Sequence, residues 1–293
     1  MIKISFFTTC GNRLQHLKQT LPKNIQSNIG YDNCEHILLD YGSSDGLTDW
    51  VLDNLSEHIK SNRLIVYRYE APFFWHNHAK NLAAKCTSKD ADVICSIDAD
   101  NYTAESKEGE CLASYLNKIF EQYTESEEKM FARACGWDYV ENTWENEHYI
   151  VNQNKFNSAS GKLAFLRKDF FELRGFNEKL KGHYYDEEEI WRRAEACWGW
   201  THEQLPAEYS QCINHSNLLR LNNLDPAIID ADKLLDDEFL EFSTNDYMDD
   251  DIALPVYPQA AKNKKIFHNV LKNKVKVPNP KKWGVGRVKR IKL

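Results

Sequence analysis

The first hundred residues alternate between short apolar runs and segments with helical spacing, a pattern that few folds can accommodate. The apolar runs predict strands at Ile2–Thr8, His36–Asp40, Leu64–Tyr69 and Asp92–Ile97. The segments between these runs have apolar residues three or four positions apart and predict helices. Strands that alternate with helices form a parallel sheet that is covered on both faces. The sequence therefore predicts an α/β fold.

Polar residues follow three of these strands, at Thr8-Thr9, at Asp40-Tyr41-Gly42-Ser43 and at Asp98-Ala99-Asp100. In parallel sheets, ligands bind beyond the carboxyl ends of the strands. These three clusters are therefore expected to line one ligand site.

Asp98 and Asp100 stand two residues apart at the end of the fourth strand. Side chains at positions i and i+2 of an extended chain point the same way, so the two carboxylates converge. Two hard oxygen ligands suit Mg²⁺ or Mn²⁺, with phosphate oxygens of a substrate completing the coordination. The alternative is a strand-end turn with solvated acids, and the position beyond the sheet favours the metal site.

Asp40 ends the second strand ahead of a glycine-containing turn. Its carboxylate can accept the N3–H of a uracil ring. The alternative is an ordinary Asx turn followed by a helix cap at Ser44 or Asp45. The two interpretations are compatible.

Four motifs together resemble those of family 2 inverting glycosyltransferases, over about residues 2 to 215. They are Thr8-Thr9-Cys10-Gly11-Asn12-Arg13, Asp40-Tyr41-Gly42-Ser43-Ser44-Asp45-Gly46, Ala79-Lys80-Asn81 and Asp98-Ala99-Asp100. The resemblance implies a GT-A fold, which is a Rossmann-like nucleotide-diphospho-sugar transferase fold with a mostly parallel sheet between helices. It also implies a nucleotide-sugar donor, usually a UDP-sugar, and Mn²⁺ or Mg²⁺.

Site residues are carried over from the same motifs. By this resemblance Thr8, Thr9 and Asp40 hold the base, with Arg13 and Ser43 beside them in the donor site. Lys80 lies near the diphosphate, Asp98 reaches the ribose or the metal, and Asp100 binds the metal. Many family members have Asp where this chain has Tyr41, which leaves open whether Tyr41 stacks on the base.

A second stretch, Gly175–Glu178 and Gly182–Arg193, is similar to the acceptor side of the same family. Alignment on Arg193 puts Glu187 at the position of the catalytic base, flanked by Asp186 and Glu189. This chain has Glu where the family has Asp, so each of the three acids is a candidate. The alternative is a run of acids at a helix N-terminus. His215 resembles a late histidine that completes the metal shell in several GT-A families, and its alternative is a structural role.

The implied function is inverting transfer of a sugar to a hydroxyl of a glycan or lipid-linked glycan. Trp75, Trp198 and Trp200 are candidate sugar platforms or core residues. A sugar-phosphate nucleotidyltransferase is one rival, but Thr8–Arg13 is poor in the glycine that its phosphate loop needs. A degenerate carbohydrate-binding module is another, which the acids at 98, 100 and 187 disfavour.

Charge divides the chain unevenly. Its net charge is −7, which disfavours nucleic acid as a partner. Residues 259–293 nevertheless contain 12 Lys or Arg and no acid, which leaves 25 basic against 44 acidic residues before them. We expect a glycosyltransferase domain at 1–220, with nucleotide-binding half 1–102 and acceptor half 103–220, an acidic helical segment at 221–258 and a basic tail at 259–293.

The tail has two interpretations. It docks on an anionic membrane, with Trp283 at the lipid interface and the tail dispensable for transfer, or it folds back on the acidic stretch 225–251.

The eight cysteines form no C-x-x-C pair and predict free thiols in a reducing compartment. The first strand begins directly after Met1, and no apolar run approaches about 20 residues, the length of a membrane helix. We therefore expect a cytoplasmic protein with peripheral contact at the inner face of the membrane.

Overall fold

The computed structural model describes residues 1–103, 109–134, 142–145, 148–151, 161–182, 184–213, 223–228 and 258–293, with the backbone alone for 142–145 and 148–151. The elements, in chain order, are β1 (Ile4–Cys10), α1 (Leu14–Ser27), β2 (Cys34–Tyr41), α2 (Leu47–Asn54), α3 (Ser56–Lys60), β3 (Leu64–Tyr69), α4 (His76–Cys86), β4 (Val93–Ser96), α5 (Leu112–Phe120), β5 (Met130–Ala134), β6 (Asn142–Glu145), β7 (His148–Val151), β8 (Leu163–Leu166), α6 (Arg167–Glu172), α7 (Asp186–Trp198), β9 (Thr201–Leu205), β10 (Cys212–Ile213), α8 (Pro258–Lys272) and β11 (Lys289–Ile291).

Within the described ranges, eight strands form the central sheet in the order β11-β3-β2-β1-β4-β8-β5-β9. The neighbours from β3 to β4 are parallel, and so is the pair β5–β9. β8 runs antiparallel between β4 and β5, and β11 adds antiparallel to the β3 edge. The predicted α/β fold with a mostly parallel sheet is confirmed.

Helices cover both faces of this sheet, so that β1 and β2 are buried along their whole length. Ile37 and Leu39 of β2 pack into a cluster with α4 and α7, whereas Leu38 packs against α1 and α2. Such two-sided burial is typical of strands inside a parallel sheet. Because β1, β2 and β4 are parallel, their carboxyl ends lie at one edge of the sheet, where the loops that follow them meet.

The C-terminal segment is part of this core. Trp283 is 5% exposed, and its ring lies 6.1 Å from that of Phe170 and 5.4 Å from that of Phe171. The Lys85 ammonium lies 4.3 Å from the same ring and donates to the Trp283 carbonyl. The prediction that Trp283 sits at a lipid interface is wrong, because the indole fills the space between α4 and α6.

The later part of the chain is described less fully. Between β9 and β10 the chain forms a 3₁₀ turn at Ala207–Tyr209. The expected acidic segment lies outside the described residues from 229 to 257, and so does His215. Seven of the eight cysteines are free thiols as predicted, and Cys135 lies outside the described residues. In the described part of the chain, no helix is long and apolar enough to span a bilayer.

Candidate active site

The predicted donor-side residues gather at one corner of the sheet. Thr8 and Thr9 lie at the carboxyl end of β1 and are nearly closed to solvent. Ser43 follows β2, and its hydroxyl donates to the Cys10 carbonyl at 3.4 Å. Arg13 immediately precedes α1 as its N-cap residue. The structure therefore brings the first two motifs together as the topology requires.

Asp40 is fully buried, and protein donors occupy both of its carboxylate oxygens. Oδ1 accepts the Ser43 N–H at 2.9 Å. Oδ2 accepts from the Thr48 hydroxyl at 2.6 Å and from the Arg68 guanidinium at 2.7 Å. Asp40 thus organises the turn in this structure. Contact with a nucleobase would require one of these donors to move away.

The helix cap expected after this turn is different. Gly46, with φ 81°, is the N-cap residue of α2, which has no side-chain cap. Asp45 instead accepts the backbone N–H of Leu14, the first residue of α1, at 2.8 Å. The cap predicted at Ser44 or Asp45 for the following helix is wrong, because Asp45 caps the preceding one.

The loop after β4 is fixed from two sides. The Thr20 hydroxyl of α1 donates to the Ala99 carbonyl at 2.6 Å. From the other side, the Ile213 N–H of β10 donates to the Asp100 carbonyl at 2.7 Å. These contacts attach the acceptor half to the loop that contains the predicted metal ligands.

Asn101 adds a third oxygen to this loop. Its Nδ2 donates to Asp100 Oδ1 at 2.8 Å. Its own Oδ1 is buried and has no hydrogen-bond partner among the described residues. Asp98, Asp100 and Asn101 together supply hard oxygen donors, one of them without a partner in the described part of the chain, and this donor set fits Mg²⁺ or Mn²⁺.

Donor-side and acceptor-side carboxylates meet at Lys80. This α4 side chain is 1% exposed, and its ammonium lies 2.9 Å from Asp98 Oδ1 and 2.7 Å from Glu187 Oε1. Gly161, two residues before β8, packs closely against the site, since a Cβ there would lie 1.9 Å from Asp98 Oδ2 and 2.7 Å from Lys80 Nζ. Three residues predicted from separate motifs are therefore in direct contact.

His76 is the site residue that the sequence interpretation missed. Its Nδ1 hydrogen-bonds the Asp186 carboxylate, and its Nε2 lies 3.3 Å from Glu187 Oε1. The ligating atoms of His76, Asp186 and Glu187 all lie within 4.8 Å of one another, so this group is a second place that could hold a divalent cation. A signal was available, because His76 and Lys80 are four residues apart on a predicted helix and share a face.

The charged groups of this cluster shift one another's pKa values. Burial lowers the pKa of Lys80, but the carboxylates of Asp98 and Glu187 outweigh it and raise that pKa overall. Burial and Lys80 likewise lower the pKa of His76, and Glu187 and Asp186 overcome them to raise it to about 10. Burial raises the pKa of Glu187, with the Asp186 charge adding to the effect. A raised pKa makes Glu187 a stronger proton acceptor.

Glu189 belongs to a different contact. It is 0% exposed and pairs with the equally buried Arg193 at 2.9 Å. Asn177 also donates to its Oε1, at 3.4 Å. Arg193 in turn donates to the carbonyls of Leu173 and Gly175. The structure therefore does not bring Glu189 into the cluster and places it in a buried ion pair instead.

The aromatic candidates separate in the same way. Tyr41 is 3% exposed and its hydroxyl bonds His78 Nδ1 at 2.7 Å, so it packs in the core instead of stacking on a base. Trp200 is also a core residue, and Trp198 is partly buried with its Nε1–H donating to the Lys276 carbonyl. Trp75 is 42% exposed beside His76 and is the tryptophan of the three that is available for stacking.

Comparison with protein-family models and with curated proteins finds no match for this sequence. Solved structures are similar at low identity. GalNAc-T7 with UDP, GalNAc and Mn²⁺ gives a TM-score of 0.51 at 16% identity, over 71% of this chain and 45% of that one. Mannosyltransferase PcManGT from Pyrobaculum calidifontis, with GDP-Man and Mn²⁺, gives 0.48 at 15%, over 70% of this chain and 55% of that one.

A nucleotidyltransferase is also among the similar structures. The 4-diphosphocytidyl-2C-methyl-D-erythritol synthase from Anaerococcus prevotii gives a TM-score of 0.47 at 14% identity, over 76% of this chain and 96% of that one. This chain spans about half the length of the two glycosyltransferases above. With its mostly parallel sheet between two helical layers and its likeness to GalNAc-T7, the chain has the GT-A fold.

Proposed function

We propose that this protein is a divalent-cation-dependent glycosyltransferase that moves a sugar from a nucleotide donor to a hydroxyl acceptor. The contact among Asp98, Lys80 and Glu187 carries the proposal, because it joins the carboxyl end of β4 to the first turn of α7. A single displacement needs the donor, the countercharge and the base within one site. GalNAc-T7, whose fold is similar, was solved with UDP, GalNAc and Mn²⁺.

Mn²⁺ or Mg²⁺ is proposed to bind Asp98 and Asp100, with His215 as a further ligand. Ile213 is hydrogen-bonded to the Asp100 carbonyl, and the proposal of His215 rests on the motif that it resembles. When bound, the cation would offset the charge that develops on the departing diphosphate.

In the proposed step, the acceptor oxygen bonds to the anomeric carbon as the bond from that carbon to the diphosphate oxygen breaks. The nucleoside diphosphate leaves with the bonding electrons, and Glu187 takes the acceptor proton. The Lys80 ammonium stabilises the departing phosphate oxygens. One displacement inverts the anomeric centre, as in the family 2 enzymes that the motifs resemble.

The donor is proposed to be a UDP-sugar, with its nucleotide beside Thr8, Thr9, Arg13 and Ser43. Asp40 would contact the base only after exchanging one of its present donors. The acceptor is proposed to be a glycan or lipid-linked glycan, with Trp75 as the exposed platform nearest the cluster.

The experiment is a calorimetric titration with UDP and GDP, each with and without Mn²⁺, followed by assays of nucleotide release from a panel of sugar donors. We expect metal-linked nucleotide binding and EDTA-sensitive release of the diphosphate. Absence of nucleotide binding with Mn²⁺ present would contradict the proposal. Release of pyrophosphate from a nucleoside triphosphate and a sugar phosphate would identify a nucleotidyltransferase instead.

Membrane contact through 259–293 remains a proposal based on charge. Lys262, Lys265 and Lys272 of α8 are exposed, and a polybasic segment gains roughly 1 kcal/mol per charge near an anionic surface. The test is sedimentation with vesicles of phosphatidylcholine and phosphatidylserine at low salt. Recovery of the protein in the supernatant would contradict it.

A further inference from the structure

The backbone that leads into the first turn of α7 is strained. Tyr184 and Tyr185 have φ values of 79° and 64°, in the left-handed region that residues with side chains rarely adopt. Tyr185 is the N-cap residue of α7, and Glu187 follows two residues later. Such conformations persist only where the surrounding structure over-determines them. Something must therefore hold these two tyrosines in place.

Helix α8 supplies that hold through Asn263, which is 1% exposed. Its Nδ2 donates to the carbonyls of Lys181 and Tyr184 at 2.8 and 3.2 Å, and its Oδ1 accepts the Lys181 N–H at 3.2 Å. One turn further along α8, the Phe267 ring lies 5.0 Å from that of Tyr185. The amide and the ring together contact both residues of the strained pair.

Asn279 secures the preceding part of the same connection. Its Nδ2 donates to the carbonyls of Arg174 and Phe176 at 2.7 and 2.6 Å, and its Oδ1 accepts the Glu178 N–H at 3.0 Å. The C-terminal segment thus contributes one buried asparagine to each end of the connection from α6 to α7. Burying two amides in a packed interface is costly unless their hydrogen bonds are made, and here the bonded partners are backbone groups of that connection.

We propose that α8 is a positioning element of the acceptor half and that Asn263 is its positioning residue. By fixing the Tyr184 carbonyl, Asn263 fixes the start of α7 and thereby the place of Glu187. The effect of Asn263 on sugar transfer rests on the proposed function, whereas its effect on the backbone at the start of α7 does not. The hydrogen bonds of Asn263 described above go to Lys181 and Tyr184, so the effect on chemistry that we propose acts through the backbone.

The test is Asn263→Asp, which keeps the volume and the accepting oxygens but removes the N–H donors. The matched control is Asn269→Asp on the exposed face of the same helix, where the side-chain oxygen accepts a hydrogen bond from Asn273. Hydrogen exchange measured on peptides covers residues 184–189, which include the Glu189 N–H bonded to the Tyr185 carbonyl. A peptide from α4 serves as the internal reference.

For Asn263→Asp we expect exchange in 184–189 at least about 10-fold faster, with α4 unchanged and the control variant like wild type. Displacement of a catalytic group by about 1 Å can cost up to about 100-fold, so kcat for transfer should fall by about 10-fold or more. The Kd for UDP with Mn²⁺ should stay within about twofold, because the donor side is untouched.

Unchanged exchange in 184–189 would overturn the proposal whatever the activity of the enzyme. Faster exchange throughout the protein would also overturn it, since Asn263 would then support the whole fold. Local loosening with undiminished kcat would overturn its role in transfer. Local loosening in a protein that binds no nucleotide would instead support the positioning role and contradict the proposed function.

Discussion

Glu187 and Glu189 lie two residues apart on α7, but Glu187 contacts Lys80 at the site and Glu189 pairs with the buried Arg193. We expect Glu187→Gln to lower kcat by about 10²-fold or more, because the acceptor proton loses its base. UDP affinity with Mn²⁺ should change little. Glu188→Gln is the matched control, since Glu188 is 40% exposed and pairs with Arg192. An active Glu187→Gln variant together with an inactive Asp186→Asn variant would place the base at Asp186.

Glu189→Gln should affect stability. Its carboxylate and the Arg193 guanidinium are both 0% exposed, and removing one partner of a buried pair typically costs about 3–5 kcal/mol. Arg193 keeps carbonyl partners, so we expect about 3 kcal/mol of lost unfolding free energy, measured by urea denaturation. A variant of wild-type stability with no transfer activity would restore Glu189 to the catalytic candidates.

Asp100→Asn should abolish metal-linked UDP binding, because a neutral amide is a poor ligand for a hard cation. The measurement is Mn²⁺ affinity by electron paramagnetic resonance, with and without UDP. Asp49→Asn, at an exposed position on α2, is the control. His76→Gln should leave Mn²⁺ affinity largely intact. If His76→Gln lowered Mn²⁺ affinity and Asp100→Asn did not, the metal site would instead consist of His76, Asp186 and Glu187.

At the scale of single residues, the sequence predicts a site residue when a motif contains it. It does not predict a residue whose role depends on a partner far away along the chain. Lys80, Asp98 and Glu187 were found from three separate stretches. His76 and Arg68 were missed because their roles depend on Asp186 and Asp40, which lie 110 and 28 residues away along the chain. The ion pair of Glu189 with Arg193 was not predicted, because Arg193 was used only to align the motif.

Among the connections between elements, the turn at Gly161, two residues before β8, lies directly against the site. An Ala Cβ at this position would lie 1.9 Å from Asp98 Oδ2, so the carboxylate or the strand must move. We expect Gly161→Ala to weaken UDP–Mn²⁺ binding by about 10-fold or more, because the displaced Asp98 carboxylate would no longer be placed to bind the donor or the metal. Gly30→Ala is the control, because a Cβ there meets nothing within 4 Å. Equal binding by both variants would contradict the close approach.

The first four strands and their helices could be predicted because each shows its own periodicity. The place of β8 could not, because its antiparallel insertion between β4 and β5 is decided by tertiary pairing. The same holds for β9 and β11, which are short, largely exposed strands whose residues do not alternate between apolar and polar. The packing of α8 against α7 is likewise a tertiary contact that the sequence pattern does not show.

For the whole molecule, the main revision concerns the C-terminal segment. The sequence favoured treating 259–293 as an appendage because its composition differs sharply from the rest of the chain. The basic side chains that create this contrast are mostly exposed, whereas Asn263, Asn279 and Trp283 between them are buried. A count of charges could not reveal which of the intervening residues point inward. Because these three residues are buried, we expect that removal of the segment would lower the stability of the fold.

The last prediction follows from this burial. Trp283→Ala empties a space between α4 and α6, and Trp-to-Ala changes in a core typically cost about 3–5 kcal/mol. Val285→Ala, two residues further on and 61% exposed, should cost less than about 0.5 kcal/mol. Urea denaturation followed by far-ultraviolet circular dichroism measures both variants, and deletion of 273–293 should lower stability at least as much as Trp283→Ala. If Trp283→Ala matched Val285→Ala in stability, the indole would lie outside the core and be available for a lipid surface after all.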